Sequence, residues 1–174
     1  MKITGRNIKH RLYNLRNLPA DIKRARYFRG HGVHSPFVYA IVREVFMASQ
    51  IKSPSHDLYD RLKAAGIPTR RAIQLQNLST PCGYESVGID TPSSELRQHQ
   101  MVVITTNIEA NRLDEYTIIA RQEQLTLCIM APYLDGVRQV ACKAIIAHHP
   151  CTSIDNRGYL LLFNNHLPKQ QFKL

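Results

Sequence analysis

Apolar and polar positions follow two rhythms along this chain, and the rhythm changes partway. Met101-Val102-Val103-Ile104 and Leu125-Thr126-Leu127-Cys128-Ile129-Met130 are short, nearly unbroken apolar runs bounded by turn residues, the pattern of strands covered on both faces. Between them Leu113, Tyr116, Ile119 and Ala120 recur at helical spacing over 110–121. From Leu134 to His148 apolar residues fall at Leu134, Val137, Val140, Ala141, Ala144, Ile145 and Ile146, again a helical period, and Pro150 follows as the stop. Cys151 to Asp155 and Tyr159 to Phe163 then flank the turn Asn156-Arg157-Gly158. This is a strand, a crossover helix and a strand, with a last strand able to return antiparallel.

Ahead of Met101 the helical rhythm dominates. Residues 1–17 are polar and basic, with Ile3, Ile8, Leu12 and Leu15 loosely on one face; Asn17-Leu18-Pro19 breaks them from a short helix over 20–28. Ser35-Pro36 predicts a capped helix start, with Phe37, Val38, Ile41, Val42, Val45 and Phe46 as its buried stripe. Ser53-Pro54-Ser55 predicts another helix, carrying Leu58, Leu62 and Ala65 and closed by Gly66-Ile67-Pro68. Ala72-Ile73-Gln74-Leu75-Gln76 alternates and predicts the first strand. Residues 77–100 are turn-rich, with room for a short strand at Val87-Gly88-Ile89, and 167–174 read as a polar tail with an apolar final pair, Phe172 and Leu174. The expected architecture is α/β: a Rossmann-like, mostly parallel sheet of about five strands with an antiparallel last strand, behind a helical front. Residues 1–69 form the helical region and 70–174 the core it packs on, within one domain.

Composition narrows the class. At 174 residues, 44% apolar and 21% charged, the chain suits a single globular domain. No apolar run is long enough to cross a membrane, and Met1 to Arg6 lead into no apolar stretch of the secretory kind. Cys82, Cys128, Cys142 and Cys151 show no CxxC pairing and read as reduced structural thiols, which points to the cytoplasm. The net charge is +10, and much of the excess lies before His34, where Asp21 is the sole acid. Such a front attracts phosphate backbones. Arg24, Arg26 and Arg29 are the residues that would carry nucleic-acid binding; a solvated helix face is the plainer reading.

Candidate chemistry is sparse. His31 and His34 stand close together, but no third metal ligand or paired carboxylate stands near them, so they read as turn-packing residues. His148 and His149 end a helix, where positive charge is favourable. Ser35 is explained by capping, and the acids on the helices pair into no catalytic set. No catalytic residue and no metal site are expected.

Arg29-Gly30-His31-Gly32-Val33-His34-Ser35-Pro36-Phe37-Val38-Tyr39 resembles the HGxHSPFV opening of a group of bacterial class I S-adenosylmethionine-dependent methyltransferase-like proteins. Thr152 to Phe163, and the ending Lys169-Gln170-Gln171-Phe172, resemble their last two strands and KQxF-type tail; Leu125 to His149 is similar in pattern to their fifth strand and helix. The resemblance covers both ends and about two thirds of the chain. It implies a cofactor pocket made by a glycine-rich turn after the first strand and by acids after the second, fourth and fifth strands.

The chain departs from that pattern at each point. Asn77-Leu78-Ser79-Thr80-Pro81-Cys82-Gly83 follows the expected first strand in place of the glycine turn. Thr105-Thr106-Asn107 and Met130-Ala131-Pro132-Tyr133 stand where acids belong, and Asp90 remains as a relic of the ribose-binding acid. Residues 77–100 are too few to hold the family's second and third strands. Their loss leaves the Ile73 strand at a sheet edge, to be covered by 77–100 or paired with a second copy in a homodimer. The expected function is therefore that of a shortened methyltransferase-like protein that has lost S-adenosylmethionine binding and serves as a binding or scaffold module. Two alternatives stay open: an active methyltransferase with a pocket rebuilt around Asn77, Asp90, Asn107 and Tyr133, and a nucleic-acid binder acting through its basic front.

Overall fold

The computed structural model describes residues 35–165 and 167–174. The two front helices, the His31–His34 pair and Arg24, Arg26 and Arg29 lie outside the described residues. Helix α1 (Pro36–Ile41) begins as its sequence dictates: the Ser35 side chain accepts a hydrogen bond from the Val38 amide, and Pro36 sits in the first turn. It continues as a π-helical turn, Val42–Phe46. Phe37 packs edge-on against Phe163, with ring centroids 5.2 Å apart, and Val38 is fully buried. The serine, proline, phenylalanine and valine of the opening motif thus each have a packing or capping task.

Helix α2 (Asp57–Ala64) turns Leu58 and Leu62 inward. Helix α3 (Thr69–Cys82) occupies the stretch where the alternation at Ala72–Gln76 predicts a strand, so the first strand is not there. Ala72, Leu75 and Leu78 are buried at helical spacing, whereas Ile73 is only half-buried. Three buried polar side chains of α3 serve the segments before it. The Gln74 amide donates to Phe46 O (2.9 Å), Gln76 Oε1 accepts from the Tyr59 amide in the first turn of α2 (2.9 Å), and Asn77 bridges Gln50 O and Lys52 N. Helix ends carry orphan backbone groups, and α3 supplies partners for them from a distance. Its own end is closed by Gly83 at φ 67°, a left-handed cap.

Strand β1 is Val87–Ile89, and β2 is Met101–Ile104. A single 3₁₀ segment, Ser93–Gln98, lies between them and buries Leu96 in the same cluster as the next helix. Helix α4 (Leu113–Gln122), β3 (Thr126–Met130), α5 (Gly136–His148), β4 (Ser153–Asp155), β5 (Tyr159–Leu162) and β6 (Gln171–Lys173) complete the chain. The six-stranded sheet has the order β1-β2-β3-β5-β4-β6. β1, β2 and β3 run parallel, β5 returns antiparallel between β3 and β4, and β6 joins β4 in parallel. The expected Ala72–Gln76 strand is lost, and six strands result because Val87–Ile89 forms β1 and Gln171–Lys173, read as tail, pairs along β4.

Side chains alternate across the sheet and found two cores. Met101, Val103, Cys128, Met130, Tyr159 and Leu161 join α1, α2 and α3. Val102, Ile104, Leu127, Ile129, Leu160 and Leu162 join α4 and α5. Helices on both faces of a mixed sheet make this an α/β protein. Among the described residues no helix is long and apolar enough to cross a membrane. The four cysteines stand as free thiols; burial pushes Cys142 up to about 11, and Cys128 higher still.

On α5 the residues facing the sheet are Arg138, Cys142 and Ile145, while Val137 and Val140 are exposed. At its end His148 is exposed, but His149 is buried, with Nε2 3.2 Å from Phe163 O. A favourable cation at the helix end, expected for both, therefore fails for His149. Burial lowers its pKa, with Arg121 and Lys169 adding to the effect against the pull of its hydrogen bonds. The unfolded chain then binds a proton that the folded chain refuses, so stability falls as pH drops below the ordinary value of 6.5. Urea unfolding between pH 7 and 5 should show this loss, and His149→Gln should flatten the slope by up to one proton.

Candidate functional site at the carboxyl ends of the strands

Ligands of open α/β sheets bind outside the carboxyl ends of the parallel strands. In this chain those ends present Asp90 after β1, Thr105 and Asn107 after β2, Ala131 to Tyr133 after β3, and Asp155 closing β4. The edge strand is β1, not the Ile73 segment, so Asp90 follows the first strand of the sheet. The Arg61 guanidinium reaches the outer edge of β1 and donates to Val87 O at 2.7 Å. The segment that follows β1 packs with α4 on one face of the sheet, as Leu96 shows.

Asp90 has a positive φ of 49°, rare for a residue with a side chain. What holds it there is a clasp. Its Oδ1 accepts from the Thr105 amide (2.7 Å), and its Oδ2 accepts from Thr105 Oγ1 (2.5 Å) and Asn107 Nδ2 (3.1 Å). Thr105 Oγ1 in turn accepts from the Asn107 amide at 3.1 Å. Two of the candidate pocket residues, Asp90 and Asn107, are thus brought together and bonded to each other.

Arg138 extends the network. It is 2% exposed, and its guanidinium donates to Thr105 O (3.0 Å), Ile108 O (2.8 Å) and Met130 O (3.1 Å). Burial pulls its pKa down, with Cys142 and Asp135 pulling back. The cation sits in a cage of carbonyl dipoles that ties β2, the loop after it and β3 to α5. Asp135 caps the same helix by accepting from the Arg138 amide at 2.8 Å.

Tyr133 donates its hydroxyl to Asp155 Oδ2 in a short hydrogen bond, and Asp155 Oδ1 accepts from the Arg157 amide at 2.9 Å. Ala131, at φ 48°, bonds its amide to Gly158 O. A side chain at Gly158 would overlap the Arg71 guanidinium, which lies 5.7 Å from the Tyr159 ring. Asn77, the fourth candidate, is on α3 and is committed to Gln50 and Lys52.

Two clefts lie away from this rim. One of about 350 Å³ lies between α2, α3 and the start of β1, lined in part by Arg61 and Gln76. Another of about 520 Å³ opens where β3 begins, beside Cys82, Tyr84, His99 and Thr126. There burial pushes the Cys82 thiol up to about 11 and raises Tyr84 as well, so neither offers a ready nucleophile. No group of three or more His, Cys, Asp and Glu side chains suited to a metal ion occurs among the described residues.

Sequence reasoning passed over Thr105 as a donor, Arg138 and Asp155. Arg138 had a usable signal: it shares the helical stripe of Cys142 and Ile145, and an arginine on an inward stripe needs a cage of acceptors. Comparison of the chain with protein-family models, curated proteins and solved structures finds no match.

Proposed function

We propose that this chain is a shortened Rossmann-like methyltransferase relative that keeps its sheet, has given up its cofactor pocket, and works as a non-catalytic binding module. The observation that carries this reading is the self-satisfied rim. Asp90 spends both carboxylate oxygens on Thr105 and Asn107, Arg138 spends its guanidinium on three carbonyls, and Tyr133 is bonded to Asp155. A nucleoside seated on this rim would compete with these bonds, and a buried member such as Arg138 left unpaired costs about 1–3 kcal/mol.

Two further observations support it. In the Rossmann order 3-2-1-4-5, strands two and three extend the sheet beyond the first on one side; here β1 stands at the edge and connects to its neighbour through one 3₁₀ segment. The part of the opening motif that is described caps and packs α1 and takes no part in the rim. Calorimetric titration with S-adenosylmethionine and S-adenosylhomocysteine tests the proposal. The expected outcome is no binding heat up to about 1 mM ligand, and a dissociation constant near 1 μM would end the reading.

A further inference from the structure

The cleft of about 350 Å³ between α2, α3 and the start of β1 has a donor built into its wall. Of the three buried amide side chains on α3, Gln74 and Asn77 use both ends. Gln74 donates to Phe46 O and accepts from Arg71, and Asn77 spans Gln50 O and Lys52 N. Gln76 uses only one end. It is 4% exposed, and its Oε1 accepts from the Tyr59 backbone amide at 2.9 Å, which fixes the orientation of the side chain and makes the other end the donor. That donor, Nε2, has no partner among the described residues, yet it is not one of the sealed, unsatisfied polar atoms; it opens into the cleft that Gln76 lines. Buried polar side chains are normally paired at every atom, so an amide held at one end and open at the other is placed to serve a ligand.

The rest of the wall sets the chemistry. Arg61 donates to Val87 O at 2.7 Å and pairs with Asp57 at 3.6 Å, which holds its guanidinium beside the cleft with donors to spare. Asp57 and Glu85 bring carboxylates, and that of Glu85 has no partner among the described residues. Leu58 and Val87, each 6% exposed, give an apolar surface. Tyr84, tied through its hydroxyl to Thr126 Oγ1 at 2.6 Å, adds an aromatic ring. Donors and acceptors thus stand around one apolar patch. An anion seated on Gln76 and Arg61 would face two carboxylates, and a cation seated on those carboxylates would face the guanidinium. A neutral molecule whose hydroxyls both donate and accept, with a C–H face for the apolar patch, satisfies the whole set. The volume, near the lower end of ligand pockets, suits a single sugar ring.

We propose that this cleft binds a neutral sugar of hexose size, with Gln76 Nε2 and Arg61 donating to its hydroxyls and Asp57 and Glu85 accepting from them. The cleft lies at the amino end of β1, away from the rim that carries Asp90, so the inference stands whether or not the rim takes a nucleoside.

Titration of the full ¹⁵N-labelled chain with glucose, galactose and mannose to about 50 mM tests it. At least one sugar should move the Gln76 side-chain NH₂ signals and the Leu58 amide saturably, with a dissociation constant of about 1–10 mM, while Thr105 and Asn107 stay in place. Gln76→Glu keeps the acceptor for Tyr59 but replaces the donor, and should weaken binding, read at the Leu58 amide, at least about tenfold. Glu85→Ala changes an exposed side chain, so it should leave the thermal midpoint in place and weaken binding about fivefold. No saturable shift with any of these sugars, shifts confined to other parts of the chain, a Gln76→Glu or Glu85→Ala variant that binds as tightly as the parent, or inorganic phosphate moving Gln76 at lower concentration than every sugar would each overturn the proposal.

Discussion

Replacing Arg138 with methionine is expected to lower stability by about 3–5 kcal/mol and the thermal midpoint by about 10 °C. Methionine fills similar volume but donates nothing. The carbonyls of Thr105, Ile108 and Met130 would then be left facing an apolar side chain. Water can reach part of this set at the Ile108 end, which is why the loss stays below the full sum of three abandoned acceptors. Arg138→Lys keeps the charge but not the planar fork and cannot span three acceptors set by two strands and a loop, so it should lose about half as much. Urea unfolding with an unchanged slope is the measurement. A loss below about 1 kcal/mol for Arg138→Met would mean that the cage does not hold the strand ends together.

Asp90→Ala is expected to cost about 2–4 kcal/mol. Two terms add. The charged acceptor of the Thr105 amide, the Thr105 hydroxyl and the Asn107 amide is removed. Alanine must also hold a φ of 49°, which aspartate tolerates better. Glycine separates the terms, because it abandons the clasp but removes the strain. Asp90→Gly should therefore be more stable than Asp90→Ala by about 1 kcal/mol, yet remain below the parent. If alanine and glycine destabilise equally, the positive φ is not a stored cost. If neither destabilises, the clasp is ornamental.

What was legible in the sequence follows from where the cause of each element lies. β2 and β3 are written in runs such as Met101–Ile104 because both faces of the sheet are covered there, and burial on two sides leaves no polar break. The turn at Asn156–Gly158 and the return of β5 are likewise local. Helix α3 was misread because its cause is not local. Gln74, Gln76 and Asn77 are polar yet buried, each committed to a backbone group well away in sequence. With those three taken as solvent-facing, Ile73 and Leu75 looked like a strand's alternation. That error displaced the first strand to Ile73, when Val87–Ile89 was the true edge. β6 escaped because its alternation is confined to Phe172 and Leu174, too short a run to tell from a tail with an apolar end.

The candidate site shows the same division. Asp90 and Asn107 could be picked out as the polar residues after two strands, but nothing in a linear string says that they bond to each other across a parallel pair. Asn77 fell out with the helix that carries it. Tyr133 was found, whereas its partner Asp155 was hidden inside a predicted core strand. Arg138 was covered by the more conspicuous valines beside it, which turn out to face away from the sheet.

The most direct test of the central claim is the position of the Thr105 and Asn107 amide signals in ¹H–¹⁵N spectra as S-adenosylhomocysteine is added to about 1 mM. Both amides bond into the clasp, to Asp90 and to Thr105 Oγ1, and a nucleoside seated on the rim would have to disturb them. A rim satisfied from within leaves both signals where they are, while saturable shifts centred on these two residues would contradict it.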